Sequence, residues 1–377
     1  MVFKIRHFAK LFYRLLSFLM LPLLTPEACP ISPHSKTNLT IEAWRGFAAV
    51  LVMFCHYRGW WILGPSYADL ASTGVDLFFV LSGFVFAPSI LEGISSFRAF
   101  MVRRIFRIYP LYLLALLAYV VLGHEPFSIR AILAHLLMLQ NSFSVQMAFF
   151  YNPVFWSLPP EWWFYSTLPV FILVVRVWGL WPCVLALIAL RIGLGFGVEP
   201  PATAQIPLTL VNWAVINLPG IACELMIGVL VYWCHGQQAL RQYRIVVTLC
   251  WIVFLGLAYI GYGQVLQATP APVLGNLVGV IAAALYAIAL WLSLVFWGQP
   301  SAWRASLAKQ MGAISYGVYL FHNLIPLLID RIAWVLPAWA MTIVCVALTG
   351  LIAYAAHRWF EAPLRAYGRQ MSARYCH

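Results

Sequence analysis

Long apolar runs separated by short basic, proline-rich or glycine-rich stretches repeat along most of the chain. Segments of roughly 20 apolar residues are long enough to cross a bilayer as helices. About ten such segments are predicted, near 43–62, 74–91, 107–122, 158–177, 180–197, 212–233, 245–261, 273–297, 313–330 and 338–357. A water-free hydrocarbon layer requires every backbone polar group to be satisfied within the segment, which for single apolar runs means a helix. The expected fold is therefore all-α, a polytopic membrane helical bundle of about ten spans.

Composition agrees with the pattern. The chain is 63% hydrophobic, 16% aromatic and only 9% charged, with a mean hydropathy of +0.87. Soluble domains lie far from these values. The net charge of +12 does not indicate nucleic acid, because the bases lie between apolar segments and not on a soluble basic face. They indicate topology instead. With the N-terminus in the cytoplasm, 19 of the 23 Lys and Arg residues fall on the cytoplasmic side, leaving Arg58, Arg130 and Arg331 outside and Arg191 within a span. The positive-inside rule then places both termini in the cytoplasm.

Residues 1–40 read as a basic interfacial helix, uncleaved, followed by a proline-rich linker. Residues 41–366 form the membrane-embedded domain, and 367–377 a cytoplasmic tail. The longest outer loop is expected at 123–157. Asn38-Leu39-Thr40 matches a glycosylation sequon, but it falls on the cytoplasmic side and reads as chance. The eight cysteines show no CxxC and mostly lie in apolar runs, so they read as small apolar fillers. No disulfide framework or metal site is indicated.

The few polar groups inside this apolar pattern carry the candidate chemistry. Arg45 and His56 lie eleven residues apart in IEAWRGFAAVLVMFCHY. On a helix that spacing returns both side chains to one face, about 16 Å apart. Ionisable groups in a span face a cavity or a partner and mark function by default. Asp76, in GVDLFFVLSGF, begins the next span at a similar depth to His56, where a carboxylate would fix the imidazole tautomer and raise its basicity. A structural ion pair between two helices is the plainer reading. Ser82-Gly83 would admit a ligand close to the backbone or serve ordinary helix packing.

Glu161, in WSLPPEWWFY, follows two prolines suited to a first helical turn. It is expected near the outer boundary, as part of an acceptor pocket in which Trp156, Trp162 and Trp163 stack on sugar rings, or as an acid favoured by a helix N-terminus. The cytoplasmic loop FRAFMVRRIFRIYPLY carries Arg98, Arg103, Arg104 and Arg107 beside Arg45. Arginine suits bidentate phosphate contacts, although positive-inside charge alone would also account for it. Ser315, Tyr319 and His322 are spaced i, i+4, i+7 and form a polar stripe able to line a channel. Glu224 and Arg191 could pair, but the sequence establishes no contact between them.

Taken in order, IEAWRGFAAVLVMFCHY, GVDLFFVLSGF, FRAFMVRRIFRIYPLY, WSLPPEWWFY, ISYGVYLFHN and the closing HRWFEAPLR resemble the acyltransferase-3 family of membrane acyltransferases, from about residue 40 to 366. The resemblance implies transfer of an acyl group, commonly acetyl from cytoplasmic acetyl-CoA, to hydroxyls of an extracytoplasmic glycan such as exopolysaccharide, lipopolysaccharide or peptidoglycan. It implies a bacterial cytoplasmic membrane, possible polysaccharide-assembly partners, and no tightly bound cofactor. It also implies that His56 is the essential histidine, Arg45 its companion, Arg103 and Arg107 the arginines near the donor, and Glu161 the acid of the fourth-span motif. The Pro-Pro before Glu161 departs from a more usual polar pair, and no esterase-like domain is expected after the last span.

Together these readings give His56, Asp76 and Glu161 as catalytic candidates. Arg45, Arg103, Arg107, Ser82, Ser315, Tyr319 and His322 would line the donor path. Direct transfer with His56 as base is the simplest mechanism, and an acyl-enzyme on His56 or Ser82 is the alternative. Two other classes compete. A proton-coupled transporter would use Asp76, Glu161, Glu224 and His322 as a pathway. A non-catalytic membrane sensor or scaffold would need neither His56 nor the loop arginines.

Overall fold

The computed structural model describes residues 38–57, 71–197, 210–237, 242–249, 251–252, 272–296, 300–331 and 337–375. The expected interfacial segment, most of its linker, and most of the segment at 245–261 lie outside the described residues. Among the described residues there is no strand, and six segments are long and apolar enough to cross a membrane, or seven if one sharply bent helix pair counts as a span. The all-α bundle is as expected, with a smaller number of uninterrupted spans than the apolar runs suggest.

The first helix, α1 (Leu39–His56), starts where the Asn38 side chain accepts from the backbone N–H groups of Thr40 and Ile41 at 3.1 and 3.4 Å. Residue 38 is thus a helix cap, satisfying donors that the first turn leaves orphaned. Helix α2 (Gly74–Leu91) runs back antiparallel, and α3 (Phe97–Leu122) follows after a short turn capped by Ser96. The arginine motif is helical throughout: α3 begins ten residues before the expected span, so the bases form its first three turns and not a loop.

The segment expected as the longest outer loop contains α4 (Ile129–Leu136) and then folds back into the bundle. Gln140, Asn141 and Asn152 are fully buried, and each spends its amide on a backbone carbonyl: Phe155, Trp156 and Leu320 respectively. Irregular backbone at depth must be satisfied by protein in this way. A 3-10 turn at Pro153–Ser157 leads into α5 (Leu158–Ser166), which breaks at Thr167 before α6 (Leu168–Trp178). Pro169 lacks the N–H that a continuous helix would need there. Gly179, at φ +84°, then turns the chain by 116° into α7 (Leu180–Gly197), a backbone conformation that favours glycine.

Helix α8 (Leu218–Gly236) packs along α2 with almost touching backbones: a Cβ at Gly83 would run into the Leu225 carbonyl, and one at Gly228 into that of Val80. Small residues at such crossings are what brings helices together where lipid supplies no hydrophobic drive. Helix α9 (Pro272–Phe296) lies beside α8, and α10 (Ala302–Phe321) packs along α1, where Gly46 faces Met311 and Gly312 faces Glu42. The expected span at 313–330 is two helices, because α10 starts at Ala302 and stops at Phe321 before α11 (Leu324–Arg331). The chain closes with α12 (Ala338–Ala356), a π-helical turn at His357–Glu361 and α13 (Ala362–Ala373), which packs on the start of α3 and crosses the expected domain limit at 366.

Candidate active site

The starts of α1, α3 and α13 bring arginines to one end of the bundle, here the basic end. A narrow cavity opens from it between α1, α2, α3, α5 and α10. Arg45, Arg107, Ser82, Glu161, Tyr165, Ser315, Tyr316, Tyr319 and Glu361 line it, with Phe78 and Ser157 at its far wall. Its lining, aromatic and apolar with a few convergent polar groups, is that of a small-molecule site. A second pocket shares Arg45, Arg107, Ser315, Tyr316 and Glu361 with the first and adds Glu42, Lys309 and Arg365, so it forms the mouth. Four bases (Arg45, Arg107, Lys309, Arg365) face two carboxylates (Glu42, Glu361) there, an excess of positive charge suited to phosphate.

The mouth is braced by short-range pairs. Arg45 contacts Glu42 at 3.1 Å, and Glu361 contacts both His357 at 2.9 Å and Arg365 at 3.2 Å. Glu361 is only 3% exposed, so these partners offset the burial of its charge. Arg103 lines neither pocket. It lies one turn nearer the basic end than Arg107, about 6 Å along the helix. Arg104 stacks on Phe86, Phe100 and Tyr165, with ring centres 4.6, 5.3 and 5.8 Å from its guanidinium carbon. Arg103, expected near the donor, thus lies outside the two pockets, whereas Arg107, Lys309 and Arg365 line the mouth.

Ser82 Oγ donates to Glu161 Oε1 at 2.7 Å, and the Tyr165 hydroxyl donates to the same oxygen. Glu161 therefore sits in the cavity reached from the basic end, not at the opposite boundary where it was expected. The fold-back of 140–157 accounts for this, because α5 starts inside the bundle with Leu158, Pro159 and Pro160 all buried. Its tryptophans are occupied elsewhere. Trp156 packs edge-on to Phe79 at 6.3 Å, Trp162 edge-on to Tyr109 at 5.0 Å, and the Trp163 indole donates to the Met138 carbonyl at 3.3 Å. None of the three lines either of these two pockets.

At the other end of the cavity the Ser315, Tyr319, His322 stripe is realised on buried positions. The Tyr319 hydroxyl bonds Ser157 Oγ at 2.6 Å and the Val154 carbonyl at 2.9 Å, and its ring packs against Phe78 at 5.4 Å. One turn further, His322 Nε2 lies 3.1 Å from His56 Nδ1. The tautomers follow from the carbonyls beside them. His322 Nδ1 is 3.0 Å from the Val318 carbonyl, an acceptor only, so Nδ1 carries the proton and Nε2 a lone pair. His56 Nδ1 is likewise 2.9 Å from the Val52 carbonyl and must donate, both to it and to His322. With both rings neutral, the lone pair of His56 is on Nε2, and His56 is exposed while His322 is fully buried.

The expected partner of His56 is therefore corrected: His322 orients it, and Asp76 does not. Asp76 faces away from α1, where its carboxyl meets that of Glu224 with Arg191 beside them, around Gly279 of α9. No hydrogen-bond donor among the described residues reaches either carboxyl oxygen of Glu224. The pathway expected of a transporter is divided into three separate groups: Asp76 with Glu224, Glu161 with Ser82, and His322 with His56.

Several of these groups escaped the sequence reading. Tyr165 lies four residues after Glu161, Glu42 three before Arg45, and Glu361 four from both His357 and Arg365. Helical spacing alone would have flagged all of them.

Residues 38–358 match the family model described as "Acyltransferase domain". Among curated proteins, "Nodulation protein 10" of Rhizobium leguminosarum bv. viciae is similar, being 25% identical over 374 aligned positions that cover 88% of this chain and 94% of that protein. No solved structure matches the chain.

Proposed function

Because the chain belongs to the acyltransferase-3 family and is a multi-pass membrane acyltransferase, we propose that it carries acetyl from cytoplasmic acetyl-CoA to a hydroxyl of an extracytoplasmic glycan. Exopolysaccharide is the first acceptor to test, and lipopolysaccharide the second. The basic end is assigned to the cytoplasmic face of a bacterial inner membrane, with both termini on that side, in line with the positive-inside rule.

The observation that carries this reading is the course of the cavity, which leads from an excess of bases at its mouth to Tyr319, one turn from the histidine pair. Phosphates of the donor would rest on Arg45, Arg107, Lys309 and Arg365, and its thioester arm would lie along Ser315, Tyr316 and Ser82. At the far end His56 Nε2 takes the proton of the acceptor hydroxyl as that oxygen attacks the acyl carbonyl. The resulting imidazolium keeps its Nδ1–H on the lone pair of His322, which stabilises the charge at the moment it forms.

Purified protein in detergent, radiolabelled acetyl-CoA and a panel of bacterial glycans form the test. Labelled glycan made by wild type and not by His56→Ala is the expected result. Equal labelling by both, or binding of acetyl-CoA without transfer to any hydroxyl acceptor, would contradict it.

A further inference from the structure

The wall of the cavity holds a hydroxyl and a carboxylate in a direct bond that transfer through His56 alone does not use. Ser82 Oγ is 2.7 Å from Glu161 Oε1, and Tyr165 donates to that same oxygen. A hydroxyl hydrogen-bonded to a base is the arrangement that activates a serine nucleophile, and a third group that orients the base completes it. Ser82 is also fixed in place. The next residue, Gly83, abuts the Leu225 carbonyl so closely that α2 has no freedom to turn Ser82 away.

Position separates this group from the histidines. Ser82 and Glu161 line the cavity together with Arg45 and Arg107, whereas His56 and His322 do not line it. Tyr319 lines the end of the cavity nearest the histidines, with its hydroxyl tied to Ser157 and the Val154 carbonyl and its ring 6.4 Å from that of His322. A thioester coming from the basic end meets the Ser82 hydroxyl inside the cavity before it reaches the histidine pair.

We propose that Ser82 is a nucleophile that takes the acyl group from the donor, with Glu161 as its base and Tyr165 as the residue that positions Glu161. The proposal rests on the reading of the cavity as an acyl-thioester site. In the first step a bond forms between Ser82 Oγ and the acyl carbon, and the carbon–sulfur bond breaks. The Ser82 proton passes to the Glu161 carboxylate and from there to the departing thiolate, leaving an ester on Ser82, a free thiol and Glu161 restored. In the second step the acceptor hydroxyl, losing its proton to His56, attacks that ester. The carbon–Oγ bond breaks, and the proton held by His56 returns to Ser82. No oxidant, reductant or further reactant enters either step.

The experiment uses full-length protein in nanodiscs with radiolabelled acetyl-CoA and no acceptor, quenched in acid and denatured before the protein-bound label is counted and mapped by mass spectrometry. Acetyl-CoA binding is measured in parallel by equilibrium dialysis. His56→Ala should accumulate near-stoichiometric label on residue 82, released by alkaline and not by neutral hydroxylamine. Ser82→Ala should bind acetyl-CoA yet take no label, Ser82→Cys should take it as a thioester, and Glu161→Gln should label about 10²- to 10⁴-fold more slowly. If Ser82→Ala fails to fold, the mapped peptide of His56→Ala and the Ser82→Cys protein decide the matter. The proposal is overturned if His56→Ala binds acetyl-CoA and residue 82 stays unmodified, or if Ser82→Ala transfers acetyl at the wild-type rate. Failure of wild type to bind acetyl-CoA would overturn the donor reading and this step together, a result distinct from the other two.

Discussion

A single lone pair decides the chemistry of His56. In the proposed reaction Nε2 is the base, while Nδ1 lies within hydrogen-bonding distance of the Val52 carbonyl and of His322 Nε2. Replacing His322 with Ala removes the second acceptor and the support for the imidazolium. The expected effect is a fall in kcat of roughly 10²-fold with an unchanged KM for acetyl-CoA, whereas His56→Ala abolishes transfer. A matching loss of donor affinity in His322→Ala would make it a donor contact and not a positioning residue. The arginines separate in a similar way. Arg107→Gln should weaken acetyl-CoA binding by about 1.5 to 3 kcal/mol, roughly ten- to a hundred-fold. Arg103→Gln should leave it unchanged, since Arg103 lines neither pocket. Equal losses in the two variants, read by equilibrium dialysis, would place the donor phosphates elsewhere on α3. The group of Asp76, Glu224 and Arg191, in which Glu224 and Arg191 are buried, is expected to serve stability. Arg191→Met leaves the buried Glu224 without its neighbouring cation and should destabilise by about 3 to 5 kcal/mol. Glu224→Gln should be mild, because an amide of the same shape can donate to the Asp76 carboxylate. Thermal unfolding in detergent compares the two, and equal melting temperatures would dissolve the group as a structural element.

At the scale of elements, periodicity was readable where helices run straight and failed where the chain turns. The i, i+4, i+7 stripe of Ser315, Tyr319 and His322 could be read because all three sit on or directly after one helix, α10. The pairing of His56 with Asp76 could not, because matching depths on adjacent spans say nothing about rotation, and the start of α2 turns Asp76 toward α8 and α9. The depth of Glu161 was misread for a different reason. Apolar runs do not show that buried Gln140, Asn141 and Asn152 carry the preceding segment back into the bundle, since buried amides look like loop residues until their carbonyl partners are known. Ser82-Gly83 divides the two readings offered for it: the serine lines the cavity and the glycine serves packing. The crossing of α2 and α8 depends on that packing. Gly228→Val should force the backbones apart and destabilise by about 1 to 3 kcal/mol or more, lowering the melting temperature and also the activity, because the facing helix α2 carries Ser82. A wild-type melting temperature for Gly228→Val would mean that the two helices are further apart than described.

For the whole molecule the proposed reaction sets its two chemistries at opposite ends of one bundle. A mouth with four bases and two carboxylates would receive the donor at one end, and an exposed imidazole beside a buried one stands at the other. Sequence patterning supplied the bundle, the orientation rule and the family resemblance. It did not supply the mouth, because Lys309, Glu361 and Arg365 come from segments far from α1 and α3 and join them only when α10 and α13 pack. Under the proposed function transfer is vectorial, with acyl donor and hydroxyl acceptor in different compartments. Sealed proteoliposomes of fixed orientation, with radiolabelled acetyl-CoA confined to the side of the basic end and a bacterial exopolysaccharide on the other, test this most directly. The account predicts labelled polysaccharide only when the donor is on the basic side, and none from His56→Ala vesicles. Labelling that appears only with the donor and the basic end on opposite sides, or that persists in His56→Ala, would contradict it.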